Sequence, residues 1–151
     1  MGEYTELCVN VGLKKDMPDE AMLMLKALCS CSTDTGYIDI PDHPFFKTER
    51  WHRCLHGVSA YFDGVIVSEF TLGNSHKYNQ LSVRSDIKNY TSEFELFLNW
   101  LSQYLVPDTL FVGYLRRGGY DYPRLLYFDG HNVVAYSVEL NSNPQIMDGE
   151  V

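Results

Sequence analysis

The sequence predicts an α+β fold, an antiparallel sheet of about six to seven strands with two helices on one face. Three observations carry that prediction. Thr109 to Leu140 holds three apolar and aromatic runs separated by two turn signals, one around Gly118-Gly119 and one at Asp129-Gly130. Phe94, Phe97, Leu98, Leu101, Tyr104 and Leu105 repeat at helical spacing and form one apolar stripe. Eleven Tyr and eight Phe among 151 residues favour pleated, half-buried strands.

Each element follows from local pattern. Tyr4 to Leu13 places Leu7, Val9 and Val11 on one face, with Glu6, Cys8 and Asn10 on the other, which is the alternation of a half-buried strand. Asp16 can cap a helix that has Pro18 in its first turn and Asp19 and Glu20 at its positive end. Ala21, Met24 or Leu25, and Leu28 continue that helix to between Cys29 and Ser32. Ser32 to Glu49 reads as a loop with one extended piece, Tyr37 to Ile40, and with Pro41 and Pro44 opposing regular pairing. Its aromatic end, Phe45, Phe46 and then Trp51, should tuck under the sheet, since burying each ring gains roughly 2 kcal/mol.

Arg53 to Phe62, Val65 to Leu72 and Tyr78 to Ile87 read as a three-strand antiparallel meander, with turns at Asp63-Gly64 and Gly73-Asn74-Ser75. Thr91 to Leu105 is the second helix, opened by a capping box of Ser92 and Glu95 and followed by Pro107. Leu110 to Leu115 begins a second meander. Pro123 stands at the start of its next strand, and Asp129-Gly130 marks a tight hairpin. Residues 141–151 form a polar tail beyond a single domain of residues 1–140. The order elaborates the β-α-β-β-α-β (ferredoxin-like) pattern, and helices on one face of an antiparallel sheet make a two-layer sandwich.

Composition bounds the function. The net charge of −8 repels a nucleic-acid backbone and suits either plain solubility or a basic partner. The N-terminus lacks the basic start and apolar run of a secretory signal, and no stretch approaches a membrane span. Glu6 stands where a myristoylation motif needs Ser or Thr. Cys8, Cys29, Cys31 and Cys54 therefore read as reduced thiols in a cytosol.

Several constellations invite chemistry. Cys29, Cys31, His43, His52, Cys54 and His56 are zinc-type donors, but their C-x-C and H-x-C-x-H spacings are not those of ribbons or fingers. A Cys54 nucleophile with His52 or His56 would need a base approaching from the correct side in space. Acidic pairs occur at Glu93 and Glu95, Asp39 and Asp42, and Asp19 and Glu20. Helix first turns account for the outer two. Arg84, Asp86, Lys88 and Asn89 read as a solvated lead into the second helix. Arg116-Arg117 beside Gly118-Gly119 could hold a phosphate, with Tyr114, Tyr120 and Tyr122 to stack a base, though no dinucleotide or P-loop motif is present. No residue is assigned a catalytic role, and no cofactor or metal is expected.

The blocks YTEL-V-V-LKKD-P-E, PDHPFF–RW, RSDIKNY–E–FL-WL and FVGY resemble a family of small proteins encoded by bacteriophages and prophages. FVGYLRR, LLYFDG and NVVAYSV are more loosely similar to the C-terminal sheet of immunity proteins of bacterial polymorphic toxins. Both resemblances imply a bacterial cytosol and bring no catalytic residues. The resulting expectation is a non-enzymatic acidic protein that binds and blocks a host or defence protein, as an anti-CRISPR protein does. Asp39, Asp42, Trp51, Tyr120, Asp121 and Tyr122 are its candidate contacts. The alternatives are a small-ligand sponge for nucleotide signals around Arg116 and Arg117, which would require a closed pocket across a homodimer interface, and a toxin-neutralising immunity protein.

Overall fold

The computed structural model describes residues 3–31, 38–73, 78–118 and 122–149. The strands are β1 (Tyr4–Leu13), β2 (Val67–Thr71), β3 (Asn79–Lys88), β4 (Phe111–Arg117), β5 (Arg124–Phe128) and β6 (Val133–Tyr136). Helix α1 (Asp19–Ser30) lies between β1 and β2, and helix α2 (Glu93–Ser102) between β3 and β4. The six strands form one sheet in the order β2-β3-β1-β4-β5-β6, with every neighbouring pair antiparallel. The first four strands and two helices have the β-α-β-β-α-β arrangement, and the β5–β6 hairpin widens the sheet beyond β4.

Alternation along β1 divides the sheet into two faces. Leu7, Val9, Val11 and Leu13 are buried against Met24, Leu25 and Leu28 of α1 and Phe94, Phe97, Leu98 and Leu101 of α2. Both helices therefore cover one face. The same core takes Val83 and Ile87 from β3, Leu115 from β4 and Leu126 from β5. Phe45 and Phe46 meet Trp100 of α2 and Trp51 in an edge-to-face aromatic cluster, so the aromatic loop is anchored as expected, with its ring contacts to α2 rather than to the sheet.

Gly113 makes the closest strand approach. It sits at a β-bulge with φ +152°, and a Cβ there would lie 1.9 Å from the Cys8 carbonyl oxygen. Only glycine fits that position.

The structure corrects four local expectations. Arg53 to Phe62 is not a strand. Trp51–Arg53 is a 3-10 turn, and the adjacent Cys54 and Leu55 are both fully buried, which period-two alternation forbids. The first meander is therefore a β2–β3 hairpin, and among the described residues the sheet has six strands. The Ser92–Glu95 capping box does not form. Ser92 is left-handed at φ 59° without a side-chain cap, and Asn89 Oδ1 accepts the Phe94 N–H instead. Pro18, not Asp16, stands at the α1 N-cap. Asp129-Gly130 is part of a four-residue turn, in which Asp129 Oδ1 accepts the N–H groups of His131 and Asn132. Residues 141–149 carry no helix or strand and are exposed.

Candidate functional site

The face of the sheet away from the helices carries two contrasting regions. The first is a buried ionic network. Register places Glu6 of β1 between Asp86 of β3 and Arg116 of β4, and Arg84 lies two residues along β3 from Asp86. Arg84 Nε and Nη2 donate to Glu6 Oε2 at 2.9 and 2.7 Å. Arg84 Nη1 lies 2.9 Å from Asp86 Oδ2, and Arg116 Nη2 lies 3.1 Å from Glu6 Oε1. Those last two contacts lack hydrogen-bond alignment, as does Asp86 Oδ1 toward any donor in the protein.

What buries these charges is the segment that follows the corrected strand. Ser85 Oγ accepts from Gly57 N and donates to Cys54 O, and Asp86 N donates to Gly57 O. The chain thus passes the β3 edge at Gly57, where a Cβ would meet the Asp86 carbonyl oxygen at 2.1 Å. Residues 58–66 then strap the open face before returning to β2. Tyr61 stacks on Tyr4, Phe62 lies under the Arg116 guanidinium at 5.1 Å, and Gly64 passes over Arg84. Burial opposes the charge on Arg84, but Glu6 and Asp86 outweigh it and hold its pKa above the ordinary value. Burial and the Glu6 carboxylate push up the Tyr114 hydroxyl and the Cys8 thiol beside it. A raised thiol holds little thiolate at neutral pH, and thiolate is the nucleophilic form.

The second region is apolar and open. Phe111 pairs with Tyr127, Tyr127 with Val134, and Leu125 with Tyr136 across β4, β5 and β6. Phe111 packs edge-on against Tyr127, which packs edge-on against Tyr136. Phe111, Tyr136 and the neighbouring Leu110 are more than half exposed. A groove of about 520 Å³ runs over this surface between Leu110 and Tyr136. β6 ends the sheet, and its residues Val133 to Tyr136 include no charge and no proline. Natural edge strands are often blunted by charge, by proline or by shortness, and β6 has only the last, with four residues.

On the helix face a cleft of about 750 Å³ opens between the start of α2 and the ends of β1, β4 and β5. Arg117, Arg124, Tyr90, Tyr122, Asn89 and Glu95 line it. Arg116 and Arg117 point to opposite faces, as neighbours on a strand must. The adjacent pair therefore cannot form one phosphate cradle. Arg117 shares its rim with Arg124, which belongs to the next strand and which spacing along the chain does not reveal.

The remaining sequence candidates are dispersed. Asp42 is exposed and lies 3.3 Å from Lys47, and Asp39 is exposed. Trp51 is half-buried against Phe45 and Phe46. Tyr120 and Asp121, like Gly119 and the Asn74-Ser75 turn, lie outside the described residues. Arg84 and Asp86 are buried strand residues rather than a solvated lead into α2, and Glu93 is fully buried rather than a surface partner of the helix dipole. Cys54 is fully buried, and that burial, with the Glu93 and Glu95 carboxylates adding, pushes its thiol well above the ordinary range. His56 Nε2 bonds the Cys29 carbonyl oxygen. His43 takes the Phe45 N–H on Nδ1 and meets Asn99 through Nε2. Among the described residues no three His, Cys, Asp or Glu side chains converge on a metal position, and no helix is long and apolar enough to cross a membrane.

Period two along β1 and β3, which puts Glu6, Arg84 and Asp86 on one face, is the sequence signal for the ionic network, whereas the bulge between Phe111 and Gly113 breaks that period along β4. Pairing register, which only the folded sheet supplies, builds the three surfaces. No protein-family model, curated protein or solved structure matches the chain.

Proposed function

We propose that the chain is a non-enzymatic, acidic binding protein of phage or mobile-element origin that binds and inhibits a bacterial host or defence protein, in an anti-CRISPR-like or other anti-defence role. The observation that carries this reading is the uncharged edge of β6 beside the exposed rings of Phe111 and Tyr136. An edge strand offers main-chain N–H and C=O groups to a partner strand, and alternate side chains beside it supply the specificity. The net charge of −8 selects a partner with a basic rim and speeds encounter with it. Phage origin and a bacterial cytosolic setting come from the sequence blocks quoted above. An open face with paired aromatic rings suits hot-spot contacts, each worth about 2 kcal/mol or more when covered.

The test is capture from bacterial lysate on immobilised chain, in parallel with a Phe111→Glu/Tyr136→Glu variant of unchanged circular dichroism. A partner retained by the natural chain and lost by the variant supports the reading. A partner held equally by both places the contact elsewhere and removes the β6 surface from the proposal. Capture of no partner by either chain counts against binding altogether.

A further inference from the structure

The cleft beside α2 has no part in the β6 reading, since Arg117 and Arg124 lie on the helix face and Phe111 and Tyr127 on the other. Its chemistry begins with register. Arg117 is opposite Thr5 of β1, and Arg124 is opposite Leu115 of β4. Both side chains leave the sheet on the helix side, but at its end, where the apolar core stops. Two guanidiniums from adjacent strands thus reach the same rim.

Their present partners use little of them. Arg117 Nε lies 3.3 Å from Glu3 Oε2, with both side chains about two-thirds exposed, 66% and 68%. Arg124 Nη2 lies 4.0 Å from Glu95 Oε2. Exposed single contacts of this length hold a guanidinium weakly, and each guanidinium carries five donors in a planar fork. Arg84 shows the contrast, with Nε and Nη2 donating to Glu6 and Nη1 against Asp86. Arg117 and Arg124 retain the bidentate capacity that phosphate oxygens match.

The other walls supply what an anion alone would not use. Tyr122 and Tyr90 are 60% and 54% exposed. Tyr90 has the Arg50 guanidinium 5.5 Å from its ring centroid, so Tyr122 is the more open stacking surface. Glu95, held by Asn89 Nδ2, presents carboxylate oxygens to the cleft. A bare anion would leave Tyr122 and the Glu95 carboxylate unanswered, and a purely apolar ring would leave both arginines unanswered. A ligand with a phosphate, hydroxyl or amino donors and a planar ring meets every wall at once. The volume of about 750 Å³ is in the range of small-molecule sites.

We propose that this cleft binds a nucleotide, with the phosphate on Arg117 and Arg124, the base on Tyr122, and ribose or base donors on Glu95.

The test is titration of the full chain with AMP, GMP, CMP and UMP, with the four matching nucleosides, and with inorganic phosphate, followed by arginine Nε–H NMR signals and calorimetry. At least one nucleotide should saturate the Arg117 and Arg124 signals, with its nucleoside and inorganic phosphate each at least tenfold weaker. Arg117→Gln and Arg124→Gln should each weaken binding roughly tenfold or more, as loss of a charge-assisted hydrogen bond does. Tyr122→Ala should weaken the nucleotide but not phosphate. Lys26→Gln, on the exposed side of α1, should change nothing. Unchanged melting temperatures of the ligand-free variants exclude loss of fold as the cause. No saturation by any nucleotide at millimolar concentration overturns the proposal. So does equal affinity for inorganic phosphate, which makes the cleft a simple anion site, and so does full binding by the Arg117→Gln/Arg124→Gln double variant.

Discussion

Cysteine and aspartate behaviour is set residue by residue by burial and by the backbone. Cys31 is exposed, Cys8 and Cys29 are intermediate, and Cys54 is buried. Burial raises the last three thiols, and Cys54 most. Since thiolate is the reactive form, an alkylating reagent at neutral pH should modify Cys31 first and Cys54 only on unfolding. Mass spectrometry of time points checks this, and labelling of native Cys54 at the Cys31 rate would contradict the fold. Asp129 shows the opposite shift. The N–H groups of Asn132 and His131 bond its carboxylate and lower its pKa, though the group is fully exposed. A lowered folded value means that its contribution is present in full above the ordinary aspartate range. The contribution is lost as pH falls through the lowered value. The amide signals of His131 and Asn132 should follow that acid titration and go flat in Asp129→Asn. A midpoint at or above the ordinary range would show that the turn does not favour the charged form.

Helix α2 is positioned more by one carboxylate than by its cap. Glu93 is fully buried, and its Oε2 accepts the Arg50 N–H while Oε1 accepts the Thr91 N–H. One side chain therefore ties the Phe45-Phe46 loop, the helix start and the end of β3 together. Glu93→Ala removes the acceptor from two backbone donors and should destabilise by about 3 kcal/mol, with Glu93→Gln in between. Chemical denaturation with unchanged slope measures it, and a loss below about 1 kcal/mol would mean that water or another acceptor replaces the carboxylate. In the sequence Glu95 stands out as the capping-box partner of Ser92, and nothing marks Glu93. Both sit in the first turn of an apolar stripe, and which one is buried depends on where the loop packs.

Across the whole molecule the largest organising feature is the charged layer beneath the 58–66 strap. Glu6 and Asp86 face Arg84 and Arg116, so the four formal charges cancel. Removing one member strands the others in a buried setting. Glu6→Leu should therefore cost about 3–5 kcal/mol. Replacing Glu6, Arg84, Asp86 and Arg116 together by apolar residues of similar size should bring the chain back to within about 2 kcal/mol of the natural protein. Urea unfolding of the two variants decides it. If the single substitution is as mild as the quadruple one, the network does not act as a unit.

Sequence alone determined the α+β class, β1 to within its ends, the position of both helices and the aromatic anchoring of the loop. Each of these depends on periodicity or propensity within a dozen residues. It did not determine that Arg53 to Phe62 forms a turn and a strap, because Arg-Cys-Leu-His alternates as a strand does and only the pocket beside Ser85 and Gly57 decides otherwise. It did not determine the sites either. Arg117 and Arg124, Glu6 and Arg84, and Phe111 and Tyr127 are separated by between 7 and 78 positions in the chain. What brings them together is antiparallel register, a property of paired strands that no single strand carries.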